Sequence, residues 1–145
     1  MTDYKPGDTL KFANPLGAIK YQGTGTFMAG GAGITPFLAI LRNLHKGGRL
    51  DGNALWFSNK TVKDIFLEKE LREMLGDRLR LLITREPSTC HENARIDKEY
   101  VNTHARNFDQ HFYLCGPEKM VTELSTALRE LGVHSENVVT EDLHS

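Results

Sequence analysis

Short, almost wholly apolar segments alternate along this chain with longer segments in which apolar residues recur every three or four positions. The apolar segments are typical of buried strands, and the longer periodic segments are typical of amphipathic helices. The pattern predicts strands at residues 26–29, 54–58, 79–84, 111–115 and 138–140. It predicts helices at residues 36–44, 67–75, 97–104 and 117–131. Because strands and helices alternate, we expect an α/β fold, a three-layer, doubly wound parallel sheet with right-handed crossovers.

The first strand ends in a glycine-rich turn that leads directly into the first helix. Gly30, Gly31 and Gly33 permit a positive φ angle and place no side chain between the backbone and a bound phosphate. Thr35 is predicted to cap the helix, and Pro36 fits its first position, where the missing N–H is no loss. The turn therefore offers backbone N–H groups and a helix dipole to an anion. The spacing is G-x-G-x-x-P rather than the dinucleotide pattern G-x-G-x-x-G, so a tight turn without a ligand is the alternative.

A second turn of the same kind follows the fourth strand. Cys115 ends that strand, Gly116 makes the turn, and Pro117 is predicted to begin the last helix, which Gly132 ends. Open α/β sheets bind their ligands at the carboxyl ends of such strands. Two glycine turns at one edge of a sheet would form a cleft with N–H groups on both sides, which suits a dinucleotide with a redox-active end. The alternative for Cys115 alone is a small buried thiol.

Composition narrows the class of protein. The chain has 145 residues, enough for one domain with a substantial core, and its formal net charge of -1 argues against a nucleic-acid partner. No apolar run approaches the length of a membrane span, and the first residues are unlike a signal peptide. Two cysteines, Cys90 and Cys115, are too few for a disulfide framework, and the histidines show no metal-ligand spacing. We therefore expect a cytoplasmic monomer without a metal site.

An ordered set of motifs resembles one protein family. Residues 30–37 read GGAGITPF and residues 113–120 read YLCGPEKM. Between them lie SNKTVKDI at 58–65 and RID at 95–97, and EDL follows at 141–143, with Leu143 where many members carry Phe. In this order the motifs resemble the pyridine-nucleotide domain of the ferredoxin–NADP reductase-like flavoproteins. The resemblance covers nearly the whole chain, and it implies the strand order 3-2-1-4-5.

The same resemblance divides the chain into two parts. Residues 6–10 (PGDTL) and 14–17 (NPLG) look like the last strand and the exit of the family's flavin-binding β-barrel. Residues 1–22 are accordingly interpreted as a short remnant of that barrel with a linker, and residues 23–145 as the NAD(P)H-binding domain. The family's Arg-x-Tyr-Ser flavin motif has no match here, so we do not expect the chain alone to bind flavin. The resemblance implies the C-terminal part of a two-domain enzyme.

Roles of single residues follow from the resemblance and from the affinity of helix N-termini for anions. The residues expected to hold the pyrophosphate are Gly31, Gly33, Ile34, Thr35 and Pro36. The two candidate catalytic residues are Cys115, which would position the nicotinamide ring, and Glu141, which resembles the family's C-terminal acid near the flavin. A solvated carboxylate is the alternative for Glu141. The residues lining the approach of the cofactor are Gly116, Pro117 and Met120. The residues expected to face the adenosine ribose are Ser58, Asn59 and Lys60.

These expectations describe an oxidoreductase. NADH or NADPH would pass a hydride to FAD, and electrons would continue to a flavodoxin, a ferredoxin or a similar acceptor. The motif at 59–65 is more typical of NADH-using members, whereas Ser58 and Lys60 suit the additional phosphate of NADPH. For Lys60, a solvated surface lysine is the simpler interpretation. Two alternatives remain: a non-catalytic or regulatory nucleotide-binding domain that has lost its flavin half, and a flavodoxin-like carrier.

Overall fold

The computed structural model describes residues 19–65, 67–88 and 91–140, in which strands and helices alternate as predicted. The strands are β1 Gly25–Gly30, β2 Ala54–Asn59, β3 Leu79–Ile83, β4 His111–Cys115 and β5 Val138–Thr140. The helices are α1 Ile34–Lys46, α2 Glu68–Leu75, α3 Lys98–His104 and α4 Glu118–Glu130. Each strand and helix predicted between residues 26 and 131 is therefore present, as is the strand at 138–140, with small differences at the ends.

The strands form one parallel sheet in the order β3-β2-β1-β4-β5. The chain builds β1, β2 and β3 towards one edge and then crosses back to place β4 on the other side of β1. The strand order thus reverses between β1 and β4, and the carboxyl ends of these two strands are where ligands bind in such sheets. The predicted fold class and strand order are both confirmed.

Helices cover both faces of the sheet and bury two apolar clusters. On one face, strand residues pack with α1 and α2; this cluster includes Phe27, Phe57 and Tyr113 from the strands and Phe37 and Leu71 from the helices. On the other face, strand residues pack with α3 and α4; they include Met28, Trp56, Leu114, Val101 and Leu124. Successive strand residues point to opposite faces and both faces are covered, which explains the continuous apolar runs. No helix in the described part of the chain has the length and apolar character needed to cross a bilayer.

The starts of two helices differ from the prediction. Helix α1 begins at Ile34 with Gly33 as its N-cap, so Thr35 is not the cap and Pro36 is not the first helical residue. The reason is that a 3-10 turn, Gly31–Gly33, runs directly into α1, so the chain is already helical when it reaches Thr35. Helix α4 begins one residue later than predicted, at Glu118, because Pro117 has an extended ψ of 146° and serves as the N-cap.

The segment that precedes β1 is attached to the sheet. The Tyr113 hydroxyl accepts a hydrogen bond from the Gln22 N–H at 2.8 Å and donates one to the Gly23 carbonyl at 2.6 Å. Burial raises the pKa of Tyr113, although the Gln22 N–H acts in the opposite direction. Tyr21 stacks on Tyr113 from the α1 side of the sheet. Residues 1–18 of the predicted barrel remnant lie outside the described residues, and the division at residue 22 stays a prediction.

Candidate functional site

The two glycine turns lie side by side at the carboxyl edge of the sheet. Strands β1 and β4 are neighbours, and Ala29 near the end of β1 is paired with Cys115 at the end of β4. The chain leaves β1 through Gly30 and leaves β4 through Gly116. The fold therefore brings together two motifs that are distant in the sequence, at the point where the strand order reverses.

Glycine is required in both turns because the turns touch. A Cβ atom on Gly33 would lie 2.5 Å from the carbonyl carbon of Cys115 and 2.8 Å from the nitrogen of Gly116. A Cβ atom on Gly30 would lie 2.5 Å from the sulfur of Met120, and one on Gly116 would lie 3.2 Å from the nitrogen of Gly30. The φ angles of Gly30 and Gly33 are -122° and -64°, so neither needs the positive φ predicted for them. Their role is close approach of one turn to the other.

Gly31 has a different role from the other two glycines of the first turn. Its φ is +55°, and among the described residues no heavy atom lies within 4 Å of a Cβ atom placed on it. The 3-10 turn begins here, and the backbone N–H groups at its carboxyl end donate to the carbonyls of Gly31 and Ala32. The first backbone N–H groups of a helical segment have no acceptor within the helix, and in this segment they are the N–H groups of the turn. Gly31 places open space next to the amino end of a helix, where a phosphate is favoured.

The predicted pyrophosphate residues are thus not equivalent. Ile34 is fully buried with its side chain in the α1-side core. Thr35 is exposed and Pro36 is half-buried. Gly31, Gly33 and the Thr35 hydroxyl are therefore the predicted residues best placed to meet an anion.

Two sulfur-containing residues, Cys115 and Met120, belong to the second turn and the helix that follows it. Cys115 is 7% exposed and belongs to the α1-side core. Gly116 and Met120 are half-buried, and Pro117 is exposed. Contact between the Cys115 thiol and a nicotinamide ring stays a prediction, and Glu141 lies outside the described residues.

The predicted ribose-facing residues end the neighbouring strand β2. Ser58 is paired with Gly30 and is half-buried, and Lys60 is exposed. Asn59 is 4% exposed although its side chain is polar. The Arg85 N–H donates to the Lys60 carbonyl at 2.9 Å, so the loops after β2 and β3 stay paired beyond the strands. This edge therefore extends from β4 across β1 to β2 and β3.

One carboxylate at this edge was missed from the sequence. Glu86 Oε2 accepts a hydrogen bond from the Val62 N–H at 2.9 Å, in the loop after β2. A carboxylate can accept hydrogen bonds from hydroxyl groups such as those of a ribose. The available signal was an acidic residue shortly after the third strand, but the surrounding loop is polar throughout and did not single it out.

The loop between β3 and α3 is anchored along the outer edge of β3. The Ile83 N–H donates to the Glu92 carbonyl at 2.7 Å, and the Glu92 N–H donates to the Leu81 carbonyl at 2.9 Å. The Glu92 carboxylate accepts from Arg80 at 2.8 Å and from the Tyr100 hydroxyl at 2.6 Å. Burial, together with Glu92, raises the pKa of Tyr100, so its phenol remains a donor. These contacts fix the path of a loop that begins beside Glu86.

A hydrogen-bonded Ser–His–Glu series ties the same loop to α2. Ser88 Oγ lies 2.8 Å from His91 Nδ1, and His91 Nε2 lies 3.1 Å from Glu68 Oε2. Burial raises the pKa of Glu68, but hydrogen bonds from Arg72 and His91 outweigh it and lower the pKa overall. The Ser88 N–H donates to Asn93 within the loop, and we assign the series a structural role. Within residues 19–65, 67–88 and 91–140, no three metal-ligating side chains are grouped to hold an ion.

The fold and this edge define a nucleotide-binding α/β domain, in which two adjoining glycine turns face the ligand. Residues 27–126 match the model of a family described as the oxidoreductase NAD-binding domain, and the chain belongs to that family. The match confirms the predicted relation to ferredoxin–NADP reductase-like flavoproteins and the pyridine-nucleotide cofactor. The chain is also similar in fold to the flavohem-like FAD/NAD binding domain of nitric oxide dioxygenase from Vibrio cholerae O1 biovar El Tor. That similarity has a TM-score of 0.73 and 20% identity, and covers 89% of this chain and 54% of that one.

Two curated relatives extend the comparison. One subunit of the Na(+)-translocating NADH-quinone reductase from Klebsiella pneumoniae subsp. pneumoniae is 24% identical over 156 residues, which cover 95% of this chain and 38% of the relative. NADH-cytochrome b5 reductase 1 from Aspergillus terreus is 33% identical over 151 residues, which cover 91% of this chain and 50% of the relative. The chain thus spans half or less of the length of these relatives.

Proposed function

We propose that this chain supplies the NAD(P)H-binding domain of a flavin-dependent reductase. The glycine turns hold the dinucleotide across the carboxyl edge, so that its nicotinamide end is turned towards an FAD held by a barrel of the family type. When bound, the pyridine nucleotide supplies the hydride, while the residues of this chain supply binding, orientation and exclusion of water. The division into residues 1–22 and 23–145 belongs to this proposal.

The observation that carries the proposal is the space that the described residues leave open at Gly31, which follows β1 between β2 and β4 in the strand order. A pyrophosphate fits there because the amino end of a helix favours negative charge. With the pyrophosphate over β1, the order of the strands directs the two halves of the nucleotide to opposite sides. The adenosine half extends over β2, towards Ser58 and Lys60. The nicotinamide half extends over β4, towards Cys115 and Met120.

The proposed cofactor is NADH rather than NADPH. Glu86, held by the Val62 N–H, offers a carboxylate on the adenosine side, and a carboxylate accepts a hydrogen bond from a free ribose 2′-hydroxyl. A 2′-phosphate would meet repulsion from the same carboxylate, although Lys60 and Arg85 are exposed nearby. The curated relatives named above are both described as NADH reductases.

The electron acceptor is proposed only by class. The names of the two relatives specify a quinone and cytochrome b5. A flavodoxin, a ferredoxin or a similar one-electron carrier fits the same chemistry, because flavin divides a hydride into single electrons. Cys115 and Glu141 are proposed to position the nicotinamide and the flavin, respectively.

A calorimetric titration of the chain with NADH and NADPH side by side tests the proposal, after the visible spectrum of the purified protein has been recorded. We expect saturable binding of both, tighter for NADH, and no flavin absorbance. Absence of binding to either nucleotide would contradict the proposal and favour a non-catalytic domain. Tighter binding of NADPH would contradict the role assigned to Glu86.

A pair of matched variants tests the position of the pyrophosphate. Gly31 and Gly48 both have a positive φ, of 55° and 70°, and both would place a Cβ atom in open space. Gly31→Ala and Gly48→Ala therefore carry the same kind of backbone strain, but Gly48 follows the far end of α1. We expect Gly31→Ala to weaken NADH binding by about tenfold or more, and Gly48→Ala to leave it unchanged. Equal affinities for the two variants would place the pyrophosphate elsewhere.

A further inference from the structure

Trp56, Tyr100 and Glu92 meet on the α3 side of the sheet, although they come from three separate parts of the chain. Trp56 lies in β2, Tyr100 lies in α3, and Glu92 lies in the loop that pairs with β3. The indole and phenol rings have centroids 5.3 Å apart and an interplanar angle of 88°. The phenol hydroxyl donates to Glu92 Oε1 at 2.6 Å. An indole, a phenol and a carboxylate therefore form one continuous series of contacts.

The series runs from the core to the surface. Trp56 is 3% exposed and Tyr100 is 8% exposed, whereas the Glu92 side chain is 36% exposed. Glu92 Oε2 accepts from Arg80 at 2.8 Å, which holds the carboxylate with its Oε1 towards the phenol. Burial raises the pKa of Tyr100, and Glu92 raises it further, so the phenol keeps its proton at neutral pH. The buried end of the series is thus an indole, and the exposed end is a proton acceptor.

The carboxylate distinguishes Tyr100 from Tyr113. Indole and phenol side chains can each be oxidised by one electron, and an oxidised phenol becomes a strong acid. Oxidation of a tyrosine is therefore favoured where a base accepts the hydrogen bond of its hydroxyl. Tyr100 has such a base in Glu92, whereas the Tyr113 hydroxyl, on the opposite face of the sheet, donates to the Gly23 carbonyl. A backbone carbonyl is not a base, so Tyr100 is the better equipped of the two for oxidation.

We propose that Trp56 and Tyr100 form a one-electron relay that carries an oxidising equivalent out of the core, with Glu92 as the proton acceptor. An oxygen-derived radical takes one electron from the Trp56 indole, which becomes a radical cation. Tyr100 then gives one electron to Trp56 and its hydroxyl proton to Glu92, so Trp56 is restored, Tyr100 becomes a neutral radical and Glu92 becomes a neutral acid. A dissolved thiolate gives one electron to Tyr100 while the proton returns from Glu92, and a thiyl radical departs.

The relay goes beyond the proposed function, because none of its steps needs a nucleotide. A flavin-dependent reductase is a source of oxygen-derived radicals, since flavins carry out one-electron and oxygen chemistry. The relay shortens the lifetime of an indole radical in the core, because a phenol in contact with the indole reduces it. The damage that such a radical causes in the core is thereby limited.

Laser photoionisation of Trp56 tests the relay in the full chain without nucleotide. Trp56 is the single tryptophan of the chain, so a pulse absorbed by indole but not by phenol starts the reaction at one known residue. The absorption bands of the tryptophan and tyrosine radicals are then followed in time. We expect the tryptophan radical to decay as a tyrosine radical forms, at a rate that is independent of protein concentration. We expect this rate to be lower in D2O, because a proton moves with the electron.

Three variants locate the transfer. Tyr100→Phe keeps the ring but removes the hydroxyl, and Glu92→Gln keeps a hydrogen-bond acceptor but removes the base. We expect each of them to slow formation of the tyrosine radical by about tenfold or more. Tyr113→Phe is the matched control, because it removes a partly buried hydroxyl on the opposite face, and we expect it to leave the rate unchanged.

The kinetics separate a relay from simple packing. A tyrosine radical that forms at the wild-type rate in Tyr100→Phe would overturn the relay, as would the absence of any tyrosine radical in wild type. Wild-type kinetics in Glu92→Gln would overturn the role of Glu92 as proton acceptor. If the two residues serve packing alone, their variants lower the Tm without changing the kinetics. Tyr100→Phe and Glu92→Gln alter opposite sides of one hydrogen bond, so either variant tests the relay if the other does not fold.

Discussion

Replacement of Gly33 by alanine tests whether the two glycine turns are one packed unit. The change adds a single methyl group at a position whose φ of -64° is acceptable to any residue, so it introduces no intrinsic backbone strain. What it introduces is a collision with the second turn, at the Cys115–Gly116 peptide. The effect of the variant therefore measures the contact between the turns alone.

The geometry sets the expected magnitude. The new carbon would lie 2.5 Å from the Cys115 carbonyl carbon, whereas carbon atoms in contact prefer about 3.5–4.0 Å. Both sides of this contact are backbone, so relief requires the ends of β1 and β4 to separate by about 1 Å. Overpacking of this kind lowers the free energy of unfolding by about 1–3 kcal/mol. We expect a loss of about 3 kcal/mol here, because no flexible side chain can move aside. For a chain of this size the corresponding fall in Tm is about 6–12 °C.

The measurement is equilibrium unfolding in denaturant, followed by far-UV circular dichroism and by the fluorescence of Trp56. This residue is the single tryptophan of the chain, and it is 3% exposed in the core. Gly31→Ala is the control from the same turn, because its Cβ meets no atom within 4 Å and only its φ of 55° is strained. We expect the control to lose about 1 kcal/mol. A loss in Gly33→Ala no greater than that in the control would refute the contact between the turns.

Two further variants test contacts away from the cleft. Tyr113→Phe removes the partly buried hydrogen bonds to the Gln22 N–H and the Gly23 carbonyl, and we expect thermal unfolding to show a loss of about 1–3 kcal/mol for the two bonds; unchanged stability would contradict this anchor. Glu70 accepts two hydrogen bonds from Arg42, at 2.6 and 2.7 Å, which lower the pKa of Glu70. The carboxylate therefore stabilises the fold above the ordinary carboxyl pKa and ceases to do so as the pH falls through the lowered pKa. The difference in Tm between wild type and Glu70→Gln should shrink from about pH 6 to about pH 3; a constant difference would argue against the pair.

The local pattern of apolar residues predicted the elements of this fold well. Strands buried on both faces are continuous apolar runs, and in helices buried on one face the apolar residues recur every three or four positions. The local sequence therefore indicates which residues are buried. The same local signals located both glycine turns and their relation to a family. The predicted start of α1 was wrong, because Thr35 and Pro36 suit several positions in a first helical turn and the preceding 3-10 turn moved the start to Ile34.

The roles of individual residues depended on contacts between distant parts of the chain. The three glycines of the first turn look equivalent in sequence, yet Gly33 is required for contact with Gly116, whereas Gly31 borders open space. Asn53 and Asn59 are the same residue type at the two ends of one strand, and the described residues supply hydrogen-bond partners only to the side chain of Asn53. Elements, motifs and fold class were thus determined by the sequence itself, because they follow from local periodicity and turn chemistry. The meeting of the two turns, and the unpaired carboxamide beside them, were decided by tertiary structure, because both arise from backbones that approach one another only after the sheet has formed.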